Sequence, residues 1–325
     1  MSMAENILEV SNLCKYFDIT KSAFGAKQIL KAVDNVSFNV KKGETFGLVG
    51  ESGCGKTTLG RTIVHLYKPT SGTIKFKGED ITAAKNDKEF MKYRRHLQMI
   101  FQDPYASLDS RMTVGEIIAE PMVIHKLYTP AERTERVHEL LKTVGLNPDH
   151  ISRFPHEFSG GQRQRIGIAR TLALNPEFII CDEPISALDV SIQAQIINLL
   201  ERLRDERGIS YIFIAHDISM VKHISQTISV MYLANIVESG DCKEVYHHPQ
   251  HPYTKALLSA VPVPDPDVAK TRRRIHLEGE IPSPLNPPSG CPFRTRCPYA
   301  QKICAEQKPE LREIGDGRKV ACHMV

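Results

Sequence analysis

Features that place a chain in a membrane or outside the cell are missing from this sequence. No run approaches the ~18 to 20 apolar residues that a bilayer-spanning helix requires. The N-terminal segment "MSMAENILEV" lacks the basic flank and the long apolar stretch of a secretion signal. We therefore expect a cytosolic protein, neither secreted nor transmembrane, whose cysteines stay reduced.

Strong charge of one sign is also lacking. Lysine and arginine total 42 against 38 acidic residues, a net charge of +4, which is too small an excess to argue for a nucleic-acid partner. The one basic cluster, residues 272–274, is typical of a solvated linker. Neither a solenoid-length repeat nor a long heptad run is present. With 41% apolar and 25% charged residues in 325, the composition is that of an ordinary globular protein.

What is present is an alternation of strand-like and helix-like segments. Short apolar runs such as "TFGLVG", "GTIKFKG", "LQMIF", "EFIICDE" and "SYIFIAH" predict strands. Between them, "KTTLGRTIVHLY", "PAERTERVHELLKTVGL" and "SIQAQIINLLERLRDE" have helical periodicity, and Pro130 suits a first helical turn. The pattern predicts an α/β domain with a largely parallel sheet.

A change of composition predicts a domain boundary near residue 261. The segments "VPVPDPD" and "IPSPLNPPSG" are proline-rich, which removes backbone donors and favours an extended course. We therefore predict one domain over residues 1–260, followed by a proline-rich linker and a small cysteine-containing C-terminal domain over residues 261–325.

The segment "GESGCGKTT" has the spacing of a phosphate-binding loop and lies between a predicted strand and a predicted helix. Glycines let backbone amides turn toward a polyphosphate, Lys56 can reach the outer phosphates, and the Thr57 hydroxyl can bind Mg²⁺. The alternative is a glycine-rich turn with no ligand. The predicted ATP-binding residues here are Gly50, Ser52, Gly53, Gly55, Lys56, Thr57 and Thr58.

Two carboxylates, Asp182 and Glu183, follow the predicted strand "FIIC". A lone Asp-Glu pair at a strand end is usually a helix cap or a surface turn. In a chain with a phosphate loop, however, Asp182 suits the holder of a hydrated Mg²⁺ and Glu183 suits the group that polarises the attacking water.

The segment "FSGGQRQRIGIARTL" offers a second helix N-terminus suited to an anion, with Ser159 as its cap. Alone, it is equally typical of an ordinary capped helix. Together with "GESGCGKTT" and "CDEPISALD", it resembles the ATP-binding subunits of ABC transporters, whose signature is "SGGQ". The resemblance covers about residues 7–258 and implies an ABC-type P-loop ATPase domain with a helical subdomain at about residues 103–158.

The resemblance also implies roles for further residues. Gln102 corresponds to the Q-loop residue that senses Mg²⁺ and the γ-phosphate, and His216 to the switch histidine. Residues 186–189, ending at Asp189, correspond to the D-loop at a dimer contact. Phe17 is favoured over Tyr16 as the adenine-stacking ring, although either could stack. In such pairs, the signature of one subunit closes over ATP on the other; here the signature residues are Ser159, Gly160, Gly161 and Gln162.

The segment "HHPQHPYTKALLSAVP" and the cysteine-bearing tail resemble ATP-binding subunits of the oligopeptide and dipeptide permeases and of their nickel-uptake relatives. The signature "SGGQ" resembles the F-type subunit, whereas the D-type more commonly has "SGGM". The resemblance implies a D-type partner, two membrane permease subunits, an extracytoplasmic binding protein and a peripheral position on the cytoplasmic face of the inner membrane. Alternatives are a metal-chelate importer, a soluble ABC ATPase acting on nucleic acid, and a regulatory iron–sulfur protein.

Four cysteines fall in the tail at Cys291, Cys297, Cys304 and Cys322, with no Cys-x-x-Cys knuckle of the kind that commonly holds zinc. Their wide spacing and the prolines after two of them suit a [4Fe–4S] cluster. The resemblance to the D-type and F-type subunits, which share such a cysteine-bearing tail, favours this cluster over structural zinc or free thiols. His323 could replace one ligand. Since these residues lie outside every ATP motif, the tail is predicted to serve assembly and not hydrolysis.

Overall fold

The computed structural model describes residues 5–20, 28–84, 86–186, 188–262 and 274–325. They divide into two compact units. The first unit takes its described residues from Met1–Ile7, Lys41–Glu44 and Ala83–Ile212, and the second from Leu8–Val40, Thr45–Thr82 and Phe213–Val325. No described helix combines the length and the apolar character needed to cross a bilayer.

The described strands are β1 (Asn6–Asp18), β2 (Ile29–Lys41), β3 (Thr45–Val49), β4 (Ser71–Phe76), β5 (Glu79–Asp80), β6 (Leu97–Ile100), β7 (Phe178–Asp182), β8 (Ser210–Ala215), β9 (Thr227–Tyr232), β10 (Asn235–Asp241), β11 (Arg312–Gly315) and β12 (Arg318–Val320). The described α-helices are α1 (Lys56–Ile63), α2 (Asp87–Arg94), α3 (Val114–Ile124), α4 (Pro130–Thr143), α5 (Gly160–Leu172), α6 (Val190–Arg207), α7 (Ile218–Ile224), α8 (Cys242–His247), α9 (Pro252–Ser259) and α10 (Lys302–Glu306). The strands and helices predicted from the apolar patterns are confirmed, as is the α/β class.

The first unit packs helices on a parallel strand pair. Strands β6 and β7 run parallel, with Met99 opposite Ile180, and all five residues of β7 are buried. Helix α4 begins where expected, because Pro130 occupies its first turn and Thr129 caps it in a reciprocal box with Glu132. Asp182 is the last residue of β7 and is fully buried.

The second unit contains two sheets. One has the strand order β2-β1-β4-β5, and the other includes the order β11-β12-β10-β9-β3. Strands β3 and β9 are parallel, with Leu48 opposite Ser229, whereas β9, β10, β12 and β11 pair antiparallel. All five residues of β3 are buried, so the strand that leads into the phosphate loop is anchored on both faces.

The C-terminal tail joins the sheet of the second unit. Strand β12 pairs with β10, bringing Val320 opposite Glu238 and Lys319 opposite Ser239. The tail thus belongs to the same compact unit as the phosphate loop. Residues 263–273, which include the start of the predicted linker and most of the basic cluster at residues 272–274, lie outside the described residues.

Candidate active site

The predicted phosphate loop joins β3 to α1. Gly55 has φ of 108°, and a Cβ atom there would lie 2.0 Å from the carbonyl oxygen of Ala32. Gly50 is equally crowded, since its Cβ would lie 2.1 Å from the carbonyl oxygen of Met231. Only glycine fits at both positions, and this allows the tight turn that directs backbone amides toward a phosphate group.

Lys56 is the first residue of α1, and its side chain is held inside the loop. The residue is 4% exposed, and Nζ donates to the carbonyl oxygens of Gly50 at 2.7 Å and Glu51 at 3.0 Å. The first turn of α1 contains no acidic residue, so the positive end of the helix dipole is not offset there. The ammonium group can exchange these carbonyl oxygens for phosphate oxygens.

The other predicted residues lie in the loop itself or in the first turn of α1. Ser52 and Gly53 are exposed in the loop, while Thr57 and Thr58 are half-buried in the first turn of α1. Gly53 has φ of 80°, so Gly50, Gly53 and Gly55 all have positive φ in this short segment.

The two candidate adenine-stacking rings have different partners. The Tyr16 hydroxyl donates to Asp34 Oδ1 at 2.5 Å. The Phe17 ring packs edge-on against Tyr67, with centroids 5.3 Å apart, and the Lys15 ammonium lies 4.6 Å from the Phe17 centroid. Both rings are half-buried. A hydrogen bond of the Tyr16 hydroxyl does not cover either face of its ring, so these contacts do not choose between the two rings, and Phe17 stays the predicted stacking ring from the family pattern.

The first unit brings Gln102 and Glu183 together, although they are far apart in the chain. Gln102 Nε2 donates to Glu183 Oε2 at 2.9 Å. Glu183 follows the last residue of β7 and has φ of 44°, a left-handed conformation that is uncommon for a residue with a side chain. Asp182, the last residue of β7, is fully buried.

The oxygen donors assigned to Mg²⁺ fit that ion chemically. The Thr57 hydroxyl and the Gln102 amide oxygen are hard ligands, and Asp182 supplies a carboxylate. Mg²⁺ usually keeps several waters and uses few protein ligands, so a cage of acidic side chains is not required.

The signature segment begins α5 with reciprocal caps. The Ser159 hydroxyl accepts from the backbone N–H of Gln162 at 3.4 Å, and the Gln162 side chain accepts from the backbone N–H of Ser159 at 3.0 Å. Gly161 is buried, and a Cβ there would lie 2.5 Å from Ile192 Cγ2 on α6. Ser159 is exposed and Gly160 half-buried. The helix N-terminus is therefore accessible, as an anion site requires.

The predicted D-loop and switch residues lie at element boundaries. Asp189 is exposed at the N-cap of α6 and makes no side-chain capping bond, while Ala187 in the same loop lies outside the described residues. His216 directly follows β8 and is exposed. The next residue, Asp217, caps α7 by accepting from the backbone N–H of Ser219 at 2.8 Å.

The structure adds three residues that were not predicted for this site. The Tyr253 hydroxyl accepts from the backbone N–H of Glu51 in the phosphate loop at 2.9 Å. The side chain of Glu51 accepts two hydrogen bonds from Arg296 in the tail, at 2.8 and 3.1 Å. The motif "HPYTKALL", used only to indicate a branch of the family, was a signal for Tyr253. Glu51 lies inside the predicted phosphate loop "GESGCGKTT", but no role was assigned to it, and nothing in the sequence indicated Arg296. This contact brings the tail against the phosphate loop, and the prediction that the tail serves assembly and not hydrolysis stays a prediction.

The four tail cysteines share one neighbourhood. Burial raises the pKa of the Cys291 thiol to about 11, and the charges of Cys297, Cys304 and Cys322 act on it in the same direction. The backbone N–H of Cys291 donates to the carbonyl oxygen of Cys304 at 2.8 Å, and all four thiols are free. Across the described ranges, however, no three His, Cys, Asp or Glu side chains are arranged to hold a metal ion. The structure therefore gives no support to the iron–sulfur cluster or to the zinc alternative.

Two family models match this chain. The model for the ABC transporter family matches residues 33–186, and the model for the oligopeptide/dipeptide transporter C-terminal region matches residues 237–304. The second match includes Tyr253 and Arg296.

Curated relatives match over nearly the whole length. YkfD of Bacillus subtilis is 60% identical over 319 residues, which cover 98% of this chain and 95% of YkfD. The oligopeptide transport ATP-binding protein AppF of Bacillus subtilis is 56% identical, with 98% of each chain covered. The oligopeptide transport ATP-binding protein OppF of Salmonella typhimurium is 55% identical, with 94% of this chain and 92% of OppF covered.

Among solved structures, the ATP-binding cassette MJ0796, a dimer in a post-hydrolysis state bound to ADP and Pi, matches with a TM-score of 0.65 and 30% identity. The match covers 72% of this chain and 98% of that cassette. A second cassette, cbiO1 of Clostridium perfringens, part of the ABC transporter complex cbiONQ, matches with a TM-score of 0.64 and 29% identity. The ATPase part of this chain therefore has the cassette fold.

Proposed function

The chain belongs to the oligopeptide transport ATP-binding proteins of the ABC transporter family, and from this premise we propose that it hydrolyses ATP to energise the import of di- or oligopeptides. The observation that carries this proposal is the presence, in one chain, of an ATPase cassette and the C-terminal region found in peptide transporters. Its cargo is selected by other subunits, so its own chemistry is ATP hydrolysis.

The proposed mechanism begins with phosphate capture. Backbone amides of the loop and the N-terminus of α1 bind the phosphate chain, and Lys56 exchanges its bonds to Gly50 and Glu51 for the outer phosphates. Bound Mg²⁺ would offset the negative charge of the phosphates, with the Thr57 hydroxyl among its ligands. Phe17 stacks on the adenine.

The proposed hydrolytic step uses the Gln102 and Glu183 pair. The Glu183 carboxylate accepts a proton from the attacking water, and the 2.9 Å hydrogen bond from Gln102 holds that carboxylate in position. Asp182, at the end of β7, would hold a hydrated Mg²⁺ through its carboxylate. His216 contacts the γ-phosphate. After hydrolysis the γ-phosphate contacts are lost, so closure of the subunit pair is no longer stabilised.

We further propose that the signature acts in trans. Ser159, Gly160, Gly161 and Gln162 at the exposed start of α5 would close over ATP bound to a partner subunit, and the D-loop with Asp189 would contact that partner. The dimeric state of the cassette MJ0796 supports a paired arrangement. The F-like signature favours a D-type subunit as the partner.

The membrane subunits are proposed to dock on the helical region at residues 103–158. Its exposed apolar residues include Tyr105, 64% exposed, and Ile124, 56% exposed. The Arg163 guanidinium lies 3.9 Å from the centroid of the Tyr105 ring, and Arg170 donates to the Ser107 carbonyl at 2.5 Å. Since both arginines lie on α5, a movement at Tyr105 can reach the signature helix directly.

Two permease subunits and a substrate-binding protein complete the proposed importer, with this chain peripheral on the cytoplasmic face of the inner membrane.

The domain boundary near residue 261 and the metal centre in the tail stay predictions. The thiols of Cys291, Cys297, Cys304 and Cys322 are free, and among the described residues no ligand arrangement supports the metal centre. Protein purified without oxygen should be brown and carry about four irons per chain if the cluster forms. Colourless protein, with or without one zinc ion, would exclude the cluster.

Copurification tests the proposed assembly. Co-expressed with a D-type subunit and two permease subunits, this chain should elute with them in one complex whose ATPase rate rises when peptide-loaded binding protein is added. A fully active homodimer that ignores these partners would contradict the heterodimer. Stimulation by a metal chelate and not by peptide would contradict the cargo and leave the ATPase assignment standing.

A further inference from the structure

A side chain of the tail is bonded directly to the phosphate loop. Arg296 donates from Nη1 to Glu51 Oε2 at 2.8 Å and from Nη2 to Glu51 Oε1 at 3.1 Å, a bidentate pairing across 245 positions of the chain. The Arg296 side chain is 8% exposed and that of Glu51 is 24% exposed. Parallel charge-assisted bonds in a largely dry setting are stronger and more directional than a surface ion pair.

Aromatic packing fixes the arginine. Tyr232, Tyr253 and Phe293 are each at most 1% exposed, and their ring centroids lie between 4.7 and 5.4 Å apart. The Arg296 guanidinium carbon lies 5.9 Å from the Tyr232 centroid, and its backbone N–H donates to the Phe293 carbonyl oxygen at 3.0 Å. The cluster therefore anchors the tail segment that carries Arg296.

Glu51 is held at three points within the second unit. Its backbone N–H donates to Tyr253, its carbonyl oxygen accepts from Lys56, and its carboxylate accepts from Arg296. Arg296 of the tail and Tyr253 of the "HPY" segment thus both hydrogen-bond to Glu51, the residue whose carbonyl oxygen Lys56 also contacts.

The negative charge of Glu51 makes these bonds important for nucleotide binding. A carboxylate in a loop that must bind a highly charged polyphosphate would repel it, and the repulsion grows with the number of phosphates. The guanidinium of Arg296 cancels that charge and keeps the carboxylate turned toward itself.

We propose that Arg296 is a positioning residue for nucleotide binding, which makes the C-terminal tail a part of the ATP site. This inference rests on the proposed ATPase function. Arg296 does not touch the nucleotide; it acts through Glu51, both by neutralising the carboxylate and by holding the loop in its binding conformation.

The test is equilibrium nucleotide binding to the full chain, with ATP, ADP and AMP titrated by calorimetry. Arg296→Ala should raise the Kd for ATP about tenfold, because the Glu51 carboxylate is then uncompensated. The increase should be smaller for ADP and AMP, because they carry fewer phosphate charges. Arg296→Ala/Glu51→Gln should bind ATP several-fold more tightly than Arg296→Ala alone, and Arg296→Lys should lie between wild type and Arg296→Ala.

The matched control is Arg294→Ala. Arg294 lies in the same tail segment, but among the described residues its side chain donates to Ser289 and not to the phosphate loop, at 2.8 Å to the Ser289 carbonyl oxygen and 3.2 Å to the Ser289 hydroxyl. The ATP affinity of the Arg294→Ala variant should stay within about twofold of wild type, since the contacts of the phosphate loop are unchanged.

The outcomes separate this inference from the proposed function. If wild type binds no ATP, the proposed function fails. If wild type binds ATP and Arg296→Ala binds it equally well, the inference alone fails. It also fails if Arg294→Ala weakens binding as much as Arg296→Ala does, or if Glu51→Gln brings no recovery in the double variant, because the tail would then act by general stabilisation.

Discussion

The side-chain amide of Gln102 donates a 2.9 Å hydrogen bond to the carboxylate of Glu183, across 81 positions of the chain. Glu183 holds a left-handed backbone conformation with φ of 44°. Such a conformation costs of order 1–3 kcal/mol and persists where the surroundings enforce it, which is common at functional sites. The hydrogen bond from Gln102 orients Oε2 of Glu183, and the left-handed backbone sets where the Glu183 side chain begins.

The first prediction concerns that carboxylate. Glu183→Gln should bind MgATP with an affinity within about threefold of wild type and hydrolyse it about 10²-fold or more slowly, because the water loses its proton acceptor while the phosphate contacts survive. Single-turnover hydrolysis and nucleotide binding measure the two effects separately. Near-normal turnover would remove Glu183 from its proposed role.

The second prediction concerns Lys56. Replacing it with alanine should raise the Kd for ATP at least about 30-fold, since a buried ammonium that would bind the outer phosphates is lost. The same titration used for Glu183→Gln measures it. Indistinguishable binding curves for the two variants would show that their roles are not divided as proposed.

The sequence predicted the parts of this site that are local in the chain. The phosphate loop is recognisable because Gly50, Gly55 and Lys56 act within a few residues of each other, and the start of α4 follows from Thr129 and Pro130. The contact between Arg296 and Glu51 could not be predicted, because 245 positions separate the partners and Arg296 belongs to no recognised motif. The pairing of β12 with β10 is equally long-range and rests on only three residues of β12.

The third prediction concerns Gly161 in the signature. Gly161→Ala should destabilise the fold by ~1–3 kcal/mol, because the new Cβ would lie 2.5 Å from Ile192 Cγ2. In an Ile192→Ala background the same change should cost much less, since the clashing methyl group is gone. Gly167→Ala on the same helix is the control: a Cβ there meets nothing within 4 Å, so stability should rise by up to ~1 kcal/mol. Chemical denaturation of wild type and of the four variants, including Ile192→Ala alone, measures these effects, and equal costs at positions 161 and 167 would contradict the crowding.

The fourth prediction concerns pH and the buried histidine of the "HPY" segment. Burial lowers the pKa of His251 from 6.5 to about 3, with a smaller effect of Lys255 in the same direction. The ring Nδ1 of His251 accepts from the Tyr253 backbone N–H at 3.1 Å, and the His251 backbone N–H donates to the buried Glu238 carboxylate at 2.9 Å. The unfolded chain therefore takes up a proton on His251 between pH 6.5 and 3 that the folded chain does not, and stability is lost as pH falls through this window.

Comparing wild type with His251→Gln isolates that effect. Between pH 7.5 and pH 5.0, wild type should lose ~2 kcal/mol more unfolding free energy than the variant. His276→Gln, a change at an exposed histidine, should lose as much as wild type. A wild-type protein whose pH dependence matches that of His251→Gln would show that His251 is not held neutral in the fold.

The central claim is that ATP hydrolysis by this chain energises peptide import. The most direct measurement is accumulation of a labelled peptide in proteoliposomes that contain this chain, a D-type subunit and two permease subunits, with binding protein outside and ATP inside. The account predicts uptake that requires ATP and falls to background when this chain carries Glu183→Gln, although the assembly still forms. Uptake that continues unchanged with Glu183→Gln, or ATP hydrolysis that peptide-loaded binding protein never alters, would contradict it.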